Sequence, residues 1–229
     1  MDVSIIVPVY NEEAFVVEAV RRALAVDLGV GSREVVVVDD GSTDRSMELL
    51  RAAGYGEDEV RIVELGANHG KGYAVRAGAE HAVGTYLAVL DADFEYDAED
   101  YAKMIPPIRD DGMDACIGTR MFAAHSAYGF WYVMGNRVIN TICNVLFNSW
   151  LSDFGAGPKV VPAATFRSLD LRENGFGFDA ELVSRLLKAG KRIYEVPVFY
   201  KARNREEGKK ITTRDGVRIL GVFLRVRLR

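Results

Sequence analysis

Asp91, Asp93, Glu95 and Asp97 occupy alternate positions in "LDADFEYD", directly after the apolar run Tyr86 to Leu90. In an extended segment alternate side chains share one side, and like charges crowded there repel unless a cation or a strong donor joins them. The plainer reading is a solvated strand end running into a helix N-terminus. The acids follow a buried strand directly, with no loop between, and this favours a chemical role. Asp91, Asp93 and Glu95 offer hard oxygen ligands to Mg²⁺ or Mn²⁺, ions that keep positions open for phosphate oxygens. A metal bridging a diphosphate would neutralise the charge that develops as the diphosphate leaves.

The elements that would position these acids follow from the apolar patterning. Strands are expected at Val3 to Tyr10, Glu34 to Asp40, Val60 to Leu65, Tyr86 to Asp91 and Asp114 to Thr119. Helical spacing lies between them in "EEAFVVEAVRRALA", "STDRSMELLRAAG", "GKGYAVRAGAEHA" and "AEDYAKMIPPI". Such alternation predicts an α/β fold, a Rossmann-like, mostly parallel sheet with helices on both faces. Ligands of such sheets bind beyond the carboxyl ends of the strands. The polar signatures "PVYNEE", "DDGSTD", "DADFE" and "GTR" fall at four of these ends, and together they predict one composite site. The usual glycine-rich nucleotide loops do not fit. "GANHGKGYA" is one residue short of a phosphate loop and has Gly72 where a hydroxyl should hold magnesium, and no glycine follows the first strand. A carboxylate site remains, suited to a base and ribose at one end and a divalent ion at the other.

The 229 residues suffice for one large domain, with 49% hydrophobic and 27% charged residues in the ordinary globular range. Cys116 and Cys143 stand in apolar surroundings with neither disulfide nor zinc spacing. No apolar stretch reaches the roughly 20 residues of a spanning helix, and the chain opens on a strand, so a soluble or peripheral protein is expected. Of the net charge of −4, residues 201–229 carry +7, from ten Lys or Arg against three Asp or Glu, and the rest carries −11. The acidic body argues against nucleic acid as a partner. We divide the chain into a body of residues 1–213 and a basic amphipathic helix at 214–229. Its Arg214, Arg218, Arg225 and Arg229 share one face, with apolar Ile219, Leu220, Phe223 and Leu224 on the remainder. Such a helix either lies in an anionic membrane interface or docks on the body. The aromatic stretch "YGFWYVMGNRVINTICNVLFNSW" is likewise either a core helix or a surface that meets a hydrophobic substrate or the membrane.

"VSIIVPVYNEE", "VVVVDDGSTD", "NHGKGYAVRAG", "VLDADFE", "GTR" and "EGKKITTRDGVRIL" together resemble the inverting family 2 glycosyltransferases of the GT-A fold. Within these the resemblance is strongest to the polyprenyl-phosphate (dolichol-phosphate) mannose or glucose synthases, and it covers nearly the whole chain. It implies that Pro8, Tyr10, Asn11, Glu12, Asp39, Asp40 and Asp91 bind the nucleotide sugar. Asp91, Asp93 and Glu95 would bind the metal, and Arg120, Arg203, Lys209 and Lys210 would hold donor or acceptor phosphate. Asp91, Asp93 and Arg120 would carry catalysis. The reaction implied is metal-dependent, inverting transfer of a hexose from a GDP- or UDP-linked sugar to a polyprenyl phosphate. It would take place on the cytoplasmic face of an anionic membrane surface. Glu95 replaces the glutamine of many relatives, and "GKK" replaces their "GxSK". A phosphate acceptor is already dianionic near neutral pH, whereas a hydroxyl needs a general base. In "GFGFDAEL" Asp179 is present but Phe178 replaces the acid often found before it, which favours the phosphate and leaves Asp179 and Glu181 to cap a helix or position a loop. Asp153 is a second candidate, as a base or as a structural residue. The alternatives are a family 2 transferase acting on a sugar hydroxyl and a non-catalytic nucleotide-sugar sensor.

Overall fold

The computed structural model describes residues 2–121, 130–201 and 213–229. Arg203, Lys209 and Lys210 lie outside the described residues, as does the side chain of Arg214.

The valine- and isoleucine-rich runs form the strands expected of them. β1 (Val3–Val9), β2 (Arg33–Asp39), β3 (Val60–Glu64) and β4 (Tyr86–Val89) pair in parallel. β-branched residues fit a pleated surface, and β2 is buried from Glu34 to Asp39 because helices cover both faces. Between these strands run α1 (Val16–Ala25), α2 (Ser46–Ala52) and α3 (Lys71–His81). After β4 come α4 (Tyr101–Arg109) and β5 (Ala115–Thr119). One apolar cluster joins α1 and α4 to one face of the sheet, and a second lies beneath α3 on the other.

The second half departs from the simple alternation. α5 (Phe130–Phe147) leads to a short strand, β6 (Lys159–Pro162), followed by α6 (Ala163–Ser168), α7 (Phe178–Lys188), β7 (Ile193–Pro197) and α8 (Thr213–Leu228). β6 inserts antiparallel between β4 and β5, giving the order β3-β2-β1-β4-β6-β5-β7 in one seven-stranded sheet. The sheet is therefore mostly parallel, as the alternation predicts, with one reversed strand that patterning does not reveal.

α8 docks on the body. Val222 and Phe223 are buried, and with Val226 they join a third cluster built on α5 and α7. Burying a side chain such as Phe223 is worth about 1.5–3 kcal/mol. Ile219 and Leu220 pack against the same cluster, so three of the four apolar residues assigned to a membrane interface face protein instead. Arg218 and Arg225 turn to buried Glu173, at 3.1 Å and 2.5 Å.

Candidate active site

Because β1, β2 and β4 run parallel and in register, their carboxyl ends arrive at one edge, with Val9 beside Asp39 and Leu90 N donating to Ile6 O. A cavity of about 350 Å³ opens there. Pro8, Tyr10, Glu12, Asp40, Asp91, Asp93, Glu95 and Arg120 all line it. The polar signatures of separate strand ends thus meet in one place.

Asn11 and Asp39 take scaffold positions instead. Asn11, at φ +55°, accepts from Thr43 N through Oδ1 and donates its own N–H to Ser42 Oγ. Asp39, buried, accepts from Ser42 N. Both therefore shape the turn after β2, beside the residues that line the cavity. Asp40 has a double engagement, since its two carboxylate oxygens accept from His69 N at 2.7 Å and Gly70 N at 2.8 Å. It fastens the loop before α3 while facing the cavity.

The acids after β4 do not all converge on one point. Both oxygens of Asp91 lie against the Lys71 ammonium, at 2.7 Å and 2.8 Å. Gly157 permits this packing, since a Cβ there would come within 2.8 Å of Asp91 Oδ2. Asp93 accepts from Glu95 N, and Glu95 accepts from the Tyr200 hydroxyl at 3.1 Å. Phe94 between them adopts φ +56°, a region bulky side chains seldom enter. An edge-on contact with Phe15 at 5.5 Å and Arg22 over its ring at 4.6 Å hold it there.

Lys71 belongs to a larger charge cluster that sequence reasoning missed. Its Nζ is 3.9 Å from Asp179, whose other oxygen lies 2.7 Å from the fully buried Lys159. The second contact is an ion pair without hydrogen-bond alignment, and Lys159 donates instead to the Ala156 carbonyl. Burial opposes the charge on Lys71, but Asp91 and then Asp179 outweigh it and raise the lysine's pKa. Burial also works to raise the Asp179 pKa, yet Lys159 and Lys71 hold it below the usual carboxylate range. At Lys159 burial wins and the pKa falls despite Asp179. Glu181 accepts from Arg172 N and Glu173 N, the loop-positioning role expected of it.

Arg120 forms a two-point pair with Asp153, at 2.6 Å and 2.7 Å, and lies over the Tyr200 ring. That makes Asp153 the residue that orients Arg120. Arg120, Gly155 and Tyr200 also line a second cavity of about 220 Å³, together with Asn136, Arg137 and Asn140 of α5.

Asp91, Asp93 and Glu95 all line the cavity, although among the described residues no three His, Cys, Asp or Glu side chains are gathered closely enough to hold a metal ion, and Asp91 is paired with Lys71. The donor chemistry nonetheless fits Mg²⁺ or Mn²⁺. Magnesium commonly binds through one or two carboxylates and completes its shell with water and substrate phosphates. Asp91 and Asp93 on the cavity wall meet that need.

A family model described as "Glycosyl transferase family 2" matches residues 4–163. The chain is 32% identical over 200 residues to glycosyltransferase AglJ of Haloferax volcanii, covering 86% of this chain and 62% of that protein. It is 30% identical over 210 residues to an undecaprenyl-phosphate 4-deoxy-4-formamido-L-arabinose transferase of Edwardsiella ictaluri, covering 90% of this chain and 62% of that one. The chain thus spans less than two thirds of the length of these relatives. Among solved structures it resembles glucosyl-3-phosphoglycerate synthase of Mycobacterium tuberculosis in complex with Mn²⁺, UDP and phosphoglyceric acid. The TM-score is 0.73 at 18% identity, over 99% of this chain and 78% of that one. That likeness establishes a shared GT-A-like fold.

Proposed function

Because the chain belongs to glycosyl transferase family 2, we propose that it transfers a hexose, with inversion, from a GDP- or UDP-linked sugar to a polyprenyl phosphate. The observation that carries this reading is the state of Asp179. Its position is where the resemblance puts a base for hydroxyl acceptors, yet it is ion-paired to Lys159 and near Lys71, and its pKa is depressed. A general base works best with a pKa near the operating pH. A phosphate acceptor is already anionic and needs no proton removed.

In this reading Pro8, Tyr10, Glu12 and Asp40 receive the nucleoside, with Asn11 and Asp39 supporting the turn beside them. Asp91 and Asp93 would hold Mg²⁺ or Mn²⁺, with Glu95 alongside; the ion supplies Lewis-acid stabilisation of the departing nucleoside diphosphate. Arg120, held in orientation by Asp153, offers a guanidinium at the junction of the two cavities, where donor and acceptor phosphates would meet. Arg203, Lys209 and Lys210 are proposed to add phosphate contacts.

The acceptor's lipid suggests a membrane partner, which we assign to α5 at a cytoplasmic face. Trp131, Val138 and Val145 recur every seven residues, are 83%, 55% and 76% exposed, and continue towards Trp150 at 92%. A row of tryptophan and valine with few charges suits the headgroup boundary of a bilayer. No described helix is long and apolar enough to cross one. Arg227 on α8 and Arg229 just past its end, both exposed, would add attraction to anionic lipid.

The test is to incubate the protein with UDP- and GDP-hexoses, Mn²⁺ and a polyprenyl phosphate in anionic vesicles, and to identify products by mass spectrometry. A hexosyl phosphodiester of the lipid is expected. Transfer to a soluble saccharide hydroxyl, with none to the lipid, would overturn the assignment.

A further inference from the structure

We propose that Lys71 is an internal counter-cation that competes with the divalent metal for Asp91, so that metal enters only together with a nucleoside diphosphate. The inference rests on the metal-dependent reading above and adds to it an order of assembly.

Three observations carry it. Both Asp91 oxygens are engaged by one ammonium, at 2.7 Å and 2.8 Å, so a divalent ion taking this carboxylate must either share it with a cation at close range or displace Lys71. The two cations would also repel at close range, and in a partly buried site that repulsion is poorly screened. Second, Lys71 has somewhere else to go. It is the first residue of α3 and lines the cavity beside Gly70, so an arriving diphosphate would meet both its ammonium and the positive end of an eleven-residue helix. Third, the remaining charges stay paired after such an exchange. Asp179 keeps Lys159 at 2.7 Å, and Asp91 exchanges an ammonium for a metal ion.

Lysine suits this part better than arginine would. Its ammonium is a compact charge on a flexible stem, able to pass from one anion to another, whereas a guanidinium would lock Asp91 through a planar fork. The coupling is reciprocal: if nucleotide favours metal, metal favours nucleotide by the same factor.

The test measures Mn²⁺ binding by the electron paramagnetic resonance of free Mn²⁺, alone and with UDP or GDP, on the intact chain. The parent is expected to bind Mn²⁺ weakly alone and at least about tenfold more tightly with the matching nucleotide. Lys71→Met should bind Mn²⁺ alone about tenfold or more tightly than the parent, while gaining little from nucleotide. Lys71→Arg, which keeps the charge, should bind Mn²⁺ alone as weakly as the parent. It also guards against a Met variant that is merely misfolded, which thermal unfolding of both would reveal. Equal Mn²⁺ affinity for parent and a folded Lys71→Met, with nucleotide enhancing both, would overturn the role of Lys71 and leave the metal reading standing. Failure of all three proteins to bind Mn²⁺ with either nucleotide would overturn both.

Discussion

Two ionic clusters lie near the start of α7, and they are built for different purposes. At the cavity, Asp91, Lys71, Asp179 and Lys159 follow one another with alternating sign. Under the terminal helix, buried Glu173 receives Arg218 and Arg225. The first cluster sets Lys71 on an open cavity, where partners can be exchanged. The second uses arginines between packed helices, where a planar fork grips a carboxylate and holds. Its neighbours Gly175 and Phe176 line the cavity, and Arg76 donates to the Glu173 carbonyl and to Asn174 Oδ1. The lesson is that a basic tail can be a clasp on a site loop: the charge asymmetry along the chain is partly consumed inside the fold.

The sharpest way to break this contrast is beside the exchanging cluster, at the second carboxylate proposed for the metal. Asp93→Asn should lower turnover by about 10²-fold or more while leaving thermal unfolding nearly unchanged, because it removes a ligand charge at constant volume. Near-parental turnover in Mn²⁺ would place the working acids elsewhere. Glu173→Gln should do the reverse, costing about 1–3 kcal/mol of stability with a smaller loss of turnover. The cost falls short of that of a fully buried pair because Arg218 and Arg225 are about half exposed and can rehydrate. Urea unfolding, run beside a steady-state assay, checks both halves. A variant as stable as the parent would show that α8 is held by Phe223 and its apolar neighbours alone.

The smallest effect concerns pH. The folded Asp179 has a depressed pKa, so the stability it contributes is complete above the unfolded aspartate value, about 3.9, and fades as pH falls through the folded value. The urea midpoint should therefore drop below about pH 4, and less steeply in Asp179→Asn. Parallel profiles for the two proteins would show that Asp179 has no linkage to folding.

Much of the first half was legible because its physics is local. Continuous valine runs name buried parallel strands, and polar residues at their carboxyl ends name the ligand edge. β1 to β5 lie within two residues of the expected bounds. The second half depends on contacts distant in sequence. β6 is only four residues long and begins with Lys159, a charge that patterning would not place inside a sheet; its partner Asp179 becomes apparent only after folding. Lys71 stands in a segment one residue short of a phosphate loop, and nothing in "HGKGY" points to an acid twenty residues on. Asn11 and Asp39 belong to the right region, but side-chain direction, set by turns at φ +55° and by Ser42, decides which residues reach the cavity. The arginine stripe of the tail was visible, whereas its acceptor Glu173 was not.

The reversed strand also sets a timetable for synthesis. β5 finds its sheet partners only in β6 and β7, both made after it, while β4 can join β1 as soon as it leaves the ribosome. A nascent chain therefore carries a four-stranded parallel sheet whose β4 edge stays open until Lys159–Pro162 emerges, with β5 waiting unpaired nearby. Open edges recruit foreign strands, and translation at about 5–20 residues per second leaves this one exposed for seconds. Between β4 and β6 the nascent sheet thus has an open apolar edge, and a translational pause there is expected to raise aggregation.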